Sequence, residues 1–128
     1  MILDSSAVIA AICREPDAER ILETLNSAKL VAIGAPTLAE THLALSVKLG
    51  RDAGAPIEQF LQACQAMVIP FSREHVPVFL NAWLRFGKGR HPARLNMGDC
   101  FTYAFARTAD MPILSTGNNF TLTDLKLA

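Results

Sequence analysis

Three acidic side chains occupy settings that are unusual for solvated carboxylates. Asp4 follows the apolar run Met-Ile-Leu, Glu40 has apolar neighbours, and Asp99 lies within Leu-Asn-Met-Gly-Asp-Cys-Phe. Carboxylates gathered in one crevice repel each other, so a cluster of them persists where a cation neutralises it. Oxygen ligands of this kind favour Mg²⁺ or Mn²⁺ over zinc, and such a metal can activate water to attack a phosphodiester.

Each of the three positions also has an ordinary structural explanation. Asp4 and Asp99 both stand where a helix is predicted to begin, so they could act as separate helix caps. Glu40 could lie on a solvated helix surface. Spacing along the chain does not show that the side chains meet, so both interpretations remain open at this point.

The elements around these residues predict an α/β fold. Apolar runs predict a buried strand at 1–3 and further strands at 30–33, 67–69 and 112–114, with a last edge strand at 120–125. Helical periodicity predicts helices at 7–12, 16–25, 36–49, 57–64, 76–86 and 98–108. Alternating strands and helices imply a parallel sheet. At the point where the strand order of such a sheet reverses, Asp4, Asp99 and the turn containing Asn118 and Asn119 would come together.

Apolar residues of the helix over 76–86 recur at helical spacing, which predicts a buried face made of Val76, Phe79, Leu80 and Trp83. The segment that follows differs in composition, because residues 87–94 combine two glycines and a proline with basic side chains. This composition predicts an exposed loop, and a functional interpretation of it is contact of Lys88, Arg90 and Arg94 with the phosphates of a nucleic acid. The alternative is a solvated loop, and the loop histidine His91 is not assigned a role in proton transfer.

Composition limits the class of protein. The 128 residues, 51% of them apolar, predict a single domain over 1–128. Twelve basic residues balance twelve acidic ones, which argues against a purely electrostatic binder of nucleic acid. The three cysteines form no zinc pattern with the histidines and suit reduced thiols. No membrane span or basic leader region is found, so a cytoplasmic protein is expected.

Five short motifs occur in an order and spacing that resemble the PIN-domain ribonucleases, and specifically the VapC toxins of bacterial type II toxin–antitoxin modules. Each motif is weak alone, but together they cover essentially the whole chain. They are Met-Ile-Leu-Asp-Ser-Ser-Ala at 1–7, Leu-Ala-Glu at 38–40, Gly-Lys-Gly-Arg-His-Pro-Ala at 87–93, Leu-Asn-Met-Gly-Asp-Cys-Phe-Thr-Tyr-Ala at 95–104, and Gly-Asn-Asn-Phe-Thr-Leu-Thr-Asp at 117–124.

The resemblance implies a three-layer α/β/α fold with a central, mostly parallel five-stranded sheet, and cleavage of RNA that depends on Mg²⁺ or Mn²⁺. It also implies a homodimer, a larger toxin–antitoxin assembly, and inhibition by a VapB-like antitoxin that inserts into the active-site groove. Carried over to this chain, Asp4 and Asp99 match metal ligands and Glu40 the catalytic glutamate. Ser6 matches a serine that supports the metal site, although a helix cap explains it equally well.

The chain departs from the family at a fourth acidic position. Relatives commonly have an aspartate between Gly117 and Phe120, whereas Asn118 and Asn119 stand here. An amide can bind a hard cation through its oxygen but adds no charge. We therefore expect one metal at Asp4 and Asp99 and at most a weak second one, with the two asparagines positioning water or substrate. Asp124 is expected to be a surface residue.

Two other functions compete with the nuclease. A catalytically weak or silent PIN domain that binds RNA or protein is favoured by the Asn-Asn pair. A phosphatase of the haloacid dehalogenase type is disfavoured, because Ser6 stands where the second aspartate of its Asp-x-Asp motif belongs.

Overall fold

In a computed structural model that describes residues 1–128, four short parallel strands form one sheet in the order β3-β2-β1-β4. The strands are β1 (Ile2–Leu3), β2 (Ala32–Gly34), β3 (Met67–Ile69) and β4 (Ile113–Leu114). The helices are α1 (Ser5–Cys13), α2 (Ala18–Asn26), α3 (Ala35–Leu49), α4 (Gly54–Ala63), α5 (His75–Phe86) and α6 (Met97–Ala109). The predicted α/β fold with a parallel sheet is confirmed.

The sheet has four strands, so the prediction of a fifth strand at 120–125 is wrong. This segment begins with a 3₁₀ helix (Phe120–Leu122), and only Leu127 makes an isolated bridge to Ile113. The Thr121 hydroxyl donates to the Asn118 carbonyl at 2.6 Å, and the Thr123 hydroxyl donates to the Phe120 carbonyl at 2.8 Å. Such local bonds compete with strand pairing and keep the segment folded back on itself.

Alternate residues of the strands enter two separate apolar cores. Leu3, Ile33 and Leu114 pack on the side covered by α1 to α4. Their neighbours Ile2, Ala32 and Ile113 pack on the side covered by α5 and α6. This alternation follows from the pleat of a strand, and burial on both faces explains why β1, β2 and β4 are apolar throughout, whereas the edge strand β3 leaves Met67 and Val68 exposed. The result is the predicted three-layer arrangement.

Helix α6 packs very closely on the sheet at the end of β2. A Cβ atom placed on Gly34 would lie 2.0 Å from the ring of Phe105, so only glycine permits this approach. The helix is buried along most of its length, from Asp99 to Ala106 apart from the half-buried Phe101. Its first turn is thereby held at the edge of the sheet where β1 and β4 end.

The predicted buried face of α5 is largely wrong. Val76, Leu80 and Trp83 are 38–50% exposed, and of the predicted set only Phe79 packs against the core. The buried side chains are instead His75, Ala82 and Phe86. His75 can enter the core because its Nδ1 accepts a hydrogen bond from the Ser72 backbone N–H at 3.0 Å and its ring stacks on Phe71. No helix of the chain has both the length and the apolar character needed to cross a membrane.

Candidate active site

Asp4 occupies the junction between β1 and α1 and is only 5% exposed. As the N-cap residue of α1, its Oδ2 accepts hydrogen bonds from the Ser6 backbone N–H at 3.1 Å and from the Ser6 hydroxyl at 2.6 Å. Its Oδ1 accepts a third bond from the Thr102 hydroxyl at 2.8 Å. The Asp4 carboxylate therefore caps α1 and also accepts a hydrogen bond from α6.

The Ser6 hydroxyl connects Asp4 with the turn after β4. It donates to Asp4 and accepts a hydrogen bond from the Thr116 backbone N–H at 3.1 Å. The residue lies inside α1 and its hydroxyl does not cap the helix, so the helix-cap alternative does not apply. The turn is held from its other side by Arg20, whose guanidinium donates to the Ser115 carbonyl at 2.9 Å.

Asp99 lies in the first turn of α6 and is 9% exposed. Its side chain and that of Asn96 form a capping box: the Asp99 N–H donates to Asn96 Oδ1 at 2.9 Å, and the Asn96 N–H donates to Asp99 Oδ2 at 3.0 Å. The amide of Asn119 also donates to Oδ2, at 3.2 Å. Oδ1 accepts no hydrogen bond within the chain and is not sealed from solvent, so this oxygen remains available.

Glu40 lies on α3, half-buried against the first turn of α6. A Cβ atom on Gly98 would lie 2.3 Å from one of the Glu40 carboxylate oxygens, so the absence of a side chain at Gly98 creates the space for this group. Neither oxygen of Glu40 accepts a hydrogen bond within the chain, and neither is sealed from solvent. A shallow cavity beside the carboxylate is lined by Pro36, Glu40, Met97, Gly98 and Phe101.

The three carboxylates are close enough to affect one another electrostatically. Burial raises the pKa of Glu40, and the negative charges of Asp4 and Asp99 raise it further. Burial also raises the pKa of Asp99, with a smaller upward contribution from Asp4, while the bond from Asn96 acts in the opposite direction. The fold thus brings together acids from three distant segments, and the negative charges nearby make Glu40 and Asp99 less easily ionised.

The donor atoms at this edge of the sheet suit a hard divalent cation. No three His, Cys, Asp or Glu side chains of the chain converge tightly enough to enclose an ion by themselves. Mg²⁺ is commonly held by only one or two carboxylates and keeps several of its waters, so a closed cage is not required. Asp4 and Asp99 are the residues that fit as ligands, and the free oxygens of Glu40 lie beside them.

The two asparagines have different surroundings. Asn119 reaches the site through its bond to Asp99, whereas the exposed Asn118 makes no side-chain hydrogen bond within the chain. Asp124 does not replace the missing carboxylate, because it accepts a hydrogen bond from the Tyr103 hydroxyl at 2.7 Å and pairs with Arg85 and Arg107. It is a partly exposed residue, as predicted, but it lies beside the 3₁₀ segment and not in a strand.

The basic loop at 87–94 is exposed, as predicted. Lys88, Arg90 and Arg94 surround an open concavity that has no hydrophobic lining residue, and none of them forms an ion pair with a carboxylate. The Arg90 guanidinium lies 4.2 Å from the centre of the Trp83 ring. His91 has a structural contact, because its Nδ1 accepts a hydrogen bond from the Ala93 N–H at 3.1 Å.

Sequence reasoning missed Thr102, Thr37 and Gly98. Thr102 follows Asp99 by one helical turn and so lies on the same side of α6, a spacing that could have drawn attention to it. No local sequence pattern distinguishes Thr37 or Gly98. Their roles depend on the packing of α3 against α6, which places Thr37 next to Thr102 and Gly98 next to Glu40.

Comparisons with known proteins agree with this fold. The sequence model of the PIN domain matches residues 1–125. Ribonuclease VapC36 of Mycobacterium tuberculosis is 40% identical over 127 residues, which cover 98% of this chain and 91% of the relative. Among solved structures, Mycobacterium tuberculosis VapC20, described as a sarcin-ricin loop cleaving toxin, has a TM-score of 0.78 at 14% identity, covering 99% and 97% of the two chains. VapBC2 of Rickettsia felis, bound to a DNA fragment from its promoter, has a TM-score of 0.75 at 18% identity, covering 99% and 96%.

We expect Glu40→Gln to raise the melting temperature in buffer without divalent cations near neutral pH. Folding raises the pKa of Glu40 above its usual value of 4.5. The stability that this group contributes is therefore fully present below pH 4.5, and it is lost as the pH rises through the raised pKa. The gain should therefore shrink as the pH is lowered. Calorimetry of both proteins across this range measures it, with the exposed Glu23→Gln as control. A variant that melts at or below the wild-type temperature near neutral pH would contradict the electrostatic argument.

Proposed function

Because this chain belongs to the PIN-domain family, we propose that it is a metal-dependent endoribonuclease, the toxin of a VapBC-type toxin–antitoxin module. The observation that carries the proposal is the meeting of Asp4, Glu40 and Asp99 at the carboxyl edge of the sheet. Buried like charges are unfavourable unless a cation compensates them. The support from relatives is the ribonuclease name of a protein that matches nearly the whole chain.

Each residue of the cluster has a distinct part in the proposed reaction. Asp4 and Asp99 hold Mg²⁺ or Mn²⁺, which supplies positive charge for the phosphate and makes water more acidic. Glu40 orients the attacking water and accepts its proton, a role favoured by its free oxygens and raised pKa. Attack is in line on phosphorus and leaves a 3′-hydroxyl. Asn119 holds Asp99, and Asn118 is free to contact water or substrate.

The substrate is held through its backbone by the basic loop. Lys88, Arg90 and Arg94 are exposed and have no acidic partner, so they are available to phosphates. Contacts of this type position a nucleic acid without reading its sequence. They also make binding weaken as the salt concentration rises.

A catalytically weak or silent PIN domain is the second candidate. The observation that favours it is the neutral amide of Asn119 where a carboxylate would add charge. With three acids in place of four, we propose that one cation binds well and a second binds weakly, if at all.

The first test is cleavage of structured RNAs by the purified protein with and without Mn²⁺. We expect Asp4→Asn to reduce the cleavage rate by more than about 100-fold, since changes outside the ligand shell alone cost about 10–100-fold. The matched control is Asp17→Asn, which alters the N-cap residue of α2. Binding of RNA without cleavage under any metal condition would identify a silent module and refute the enzyme.

The second test uses the close approach of Gly98 to Glu40. Gly98→Ala should leave the fold intact, because residue 98 lies in the first turn of α6, where alanine is readily accommodated. Its Cβ would lie 2.3 Å from the Glu40 carboxylate in its present position, so this flexible group must move. We expect cleavage to fall by about 10–100-fold. The control is Gly54→Ala, whose Cβ would meet the Asp52 carboxylate at 3.0 Å. Unchanged cleavage by Gly98→Ala would argue against Glu40 as the proton acceptor.

We also propose a cytoplasmic homodimer that binds a VapB-like antitoxin and can form a larger toxin–antitoxin assembly. The support for the antitoxin is family membership, together with the structural neighbour described as VapBC2. The support for self-association is the exposed apolar face of α5, formed by Val76, Leu80, Trp83 and Leu84. Faces of this kind are commonly covered by another protein.

Light scattering tests the proposed dimer. The wild-type protein should have twice the chain mass of 13.9 kDa, and Leu80→Lys should have the mass of one chain because a charge would be buried in the interface. Leu122→Lys alters a residue that is equally exposed on the 3₁₀ segment, and it should remain dimeric. A wild-type protein with the mass of a single chain would contradict the proposal.

A further inference from the structure

Two buried hydroxyl groups, one on α3 and one on α6, form a hydrogen-bonded chain that ends at the carboxylate of Asp4. Thr37 and Thr102 are both 0% exposed, and their hydroxyl oxygens lie 3.4 Å apart. The Thr102 hydroxyl is 2.8 Å from Asp4 Oδ1. A hydroxyl has a single proton to donate, and the ionised carboxylate can only accept. Thr102 therefore donates to Asp4, and Thr37 is left as the donor to Thr102.

The bond between Thr102 and Asp4 is not the only way to satisfy the Thr102 hydroxyl. A threonine inside a helix usually donates to the carbonyl one turn earlier, as Thr41 does to Thr37 at 2.7 Å. For Thr102 that carbonyl belongs to Gly98 and lies farther away, at 3.5 Å. The shorter bond goes to Asp4, so the hydroxyl serves the contact between α6 and β1 and not only its own helix.

Thr102 also lies one turn from Asp99 on the same side of α6. Its bond therefore sets where Asp4, on a segment 98 residues away in sequence, stands relative to Asp99. Ser6 binds Oδ2 of Asp4 while Thr102 binds Oδ1, so both ends of the carboxylate are held. Oδ2 already accepts two hydrogen bonds from Ser6, whereas Oδ1 accepts only the bond from Thr102 and keeps a second lone pair with which it can bind a cation.

We propose that Thr102, supported by Thr37, is a positioning residue that holds Asp4 at the correct distance from Asp99 for both to bind one divalent cation. The inference rests on the proposed function only in taking Asp4 and Asp99 as the metal ligands. It adds to that function two residues that touch neither metal nor RNA and act through the orientation of Asp4.

The experiment is titration of the RNA-free protein with Mn²⁺, followed by electron paramagnetic resonance. Thr102→Val keeps the shape of the side chain but removes the hydroxyl, and we expect it to weaken Mn²⁺ binding by about 10–100-fold. Thr102→Ser keeps the hydroxyl and should bind Mn²⁺ nearly as the wild-type protein does. Thr41→Val is the matched control, because it removes another buried hydroxyl that does not reach Asp4, and its Mn²⁺ affinity should be unchanged.

Cleavage measurements separate positioning from a general structural effect. Raising the Mn²⁺ concentration should restore much of the RNA cleavage by Thr102→Val, because the defect lies in metal affinity. Thr37→Val leaves the bond to Asp4 in place and removes only its support, so we expect a smaller loss of Mn²⁺ affinity. If Thr102→Val does not fold, the affinities of Thr37→Val and Thr102→Ser decide the question.

Equal Mn²⁺ affinity in Thr102→Val and the wild-type protein would overturn the proposal, and so would equal losses in Thr102→Val and Thr41→Val. A wild-type protein that binds no Mn²⁺ would overturn it together with the metal site. A wild-type protein that binds Mn²⁺ but cleaves no RNA would refute the nuclease alone. The affinities of the threonine variants would still decide the role of Thr102.

Discussion

The close packing of α6 against the sheet is the constraint on which the rest of the structure depends. It is permitted by Gly34, since a side chain there would collide with the Phe105 ring, and the absence of a side chain at Gly98 leaves room beside α6 for the Glu40 carboxylate. It is fixed by the hydrogen bond from Thr102 to Asp4. A single helix thereby closes one apolar core and delivers Asp99 to the edge of the sheet where Asp4 and Glu40 lie.

A carboxylate that caps a helix can also serve a functional site, because it has two oxygens. Asp99 uses Oδ2 for the capping box and for Asn119, and its Oδ1 remains free. The cap fixes the position of the free oxygen without adding a separate supporting residue. Structural and functional explanations of such an acid therefore do not exclude each other, although they look like alternatives when only the sequence is considered.

Burial and mutual repulsion make the acidic cluster unfavourable for folding, as the raised pKa values of Glu40 and Asp99 indicate. Neutral donors surround it and reduce this cost: hydroxyl groups hold Asp4, and amides hold Asp99. Asn119 fits this arrangement, because a carboxylate at its position would add a further negative charge and could not donate to Asp99. The neutral amide at this position thus avoids additional repulsion beside Asp99.

The sequence alone predicted the α/β class, four of the strands and most helix bounds, because apolar periodicity and helix-start signals are local. It also indicated the PIN-domain family through the order of its motifs. Tertiary structure decided which apolar face of α5 is buried, since His75 enters the core and Leu80 does not. It likewise decided that residues 120–122 form a 3₁₀ helix and that Thr102 contacts Asp4. These outcomes depend on which surfaces meet across long separations in the chain, and no local pattern carries that information.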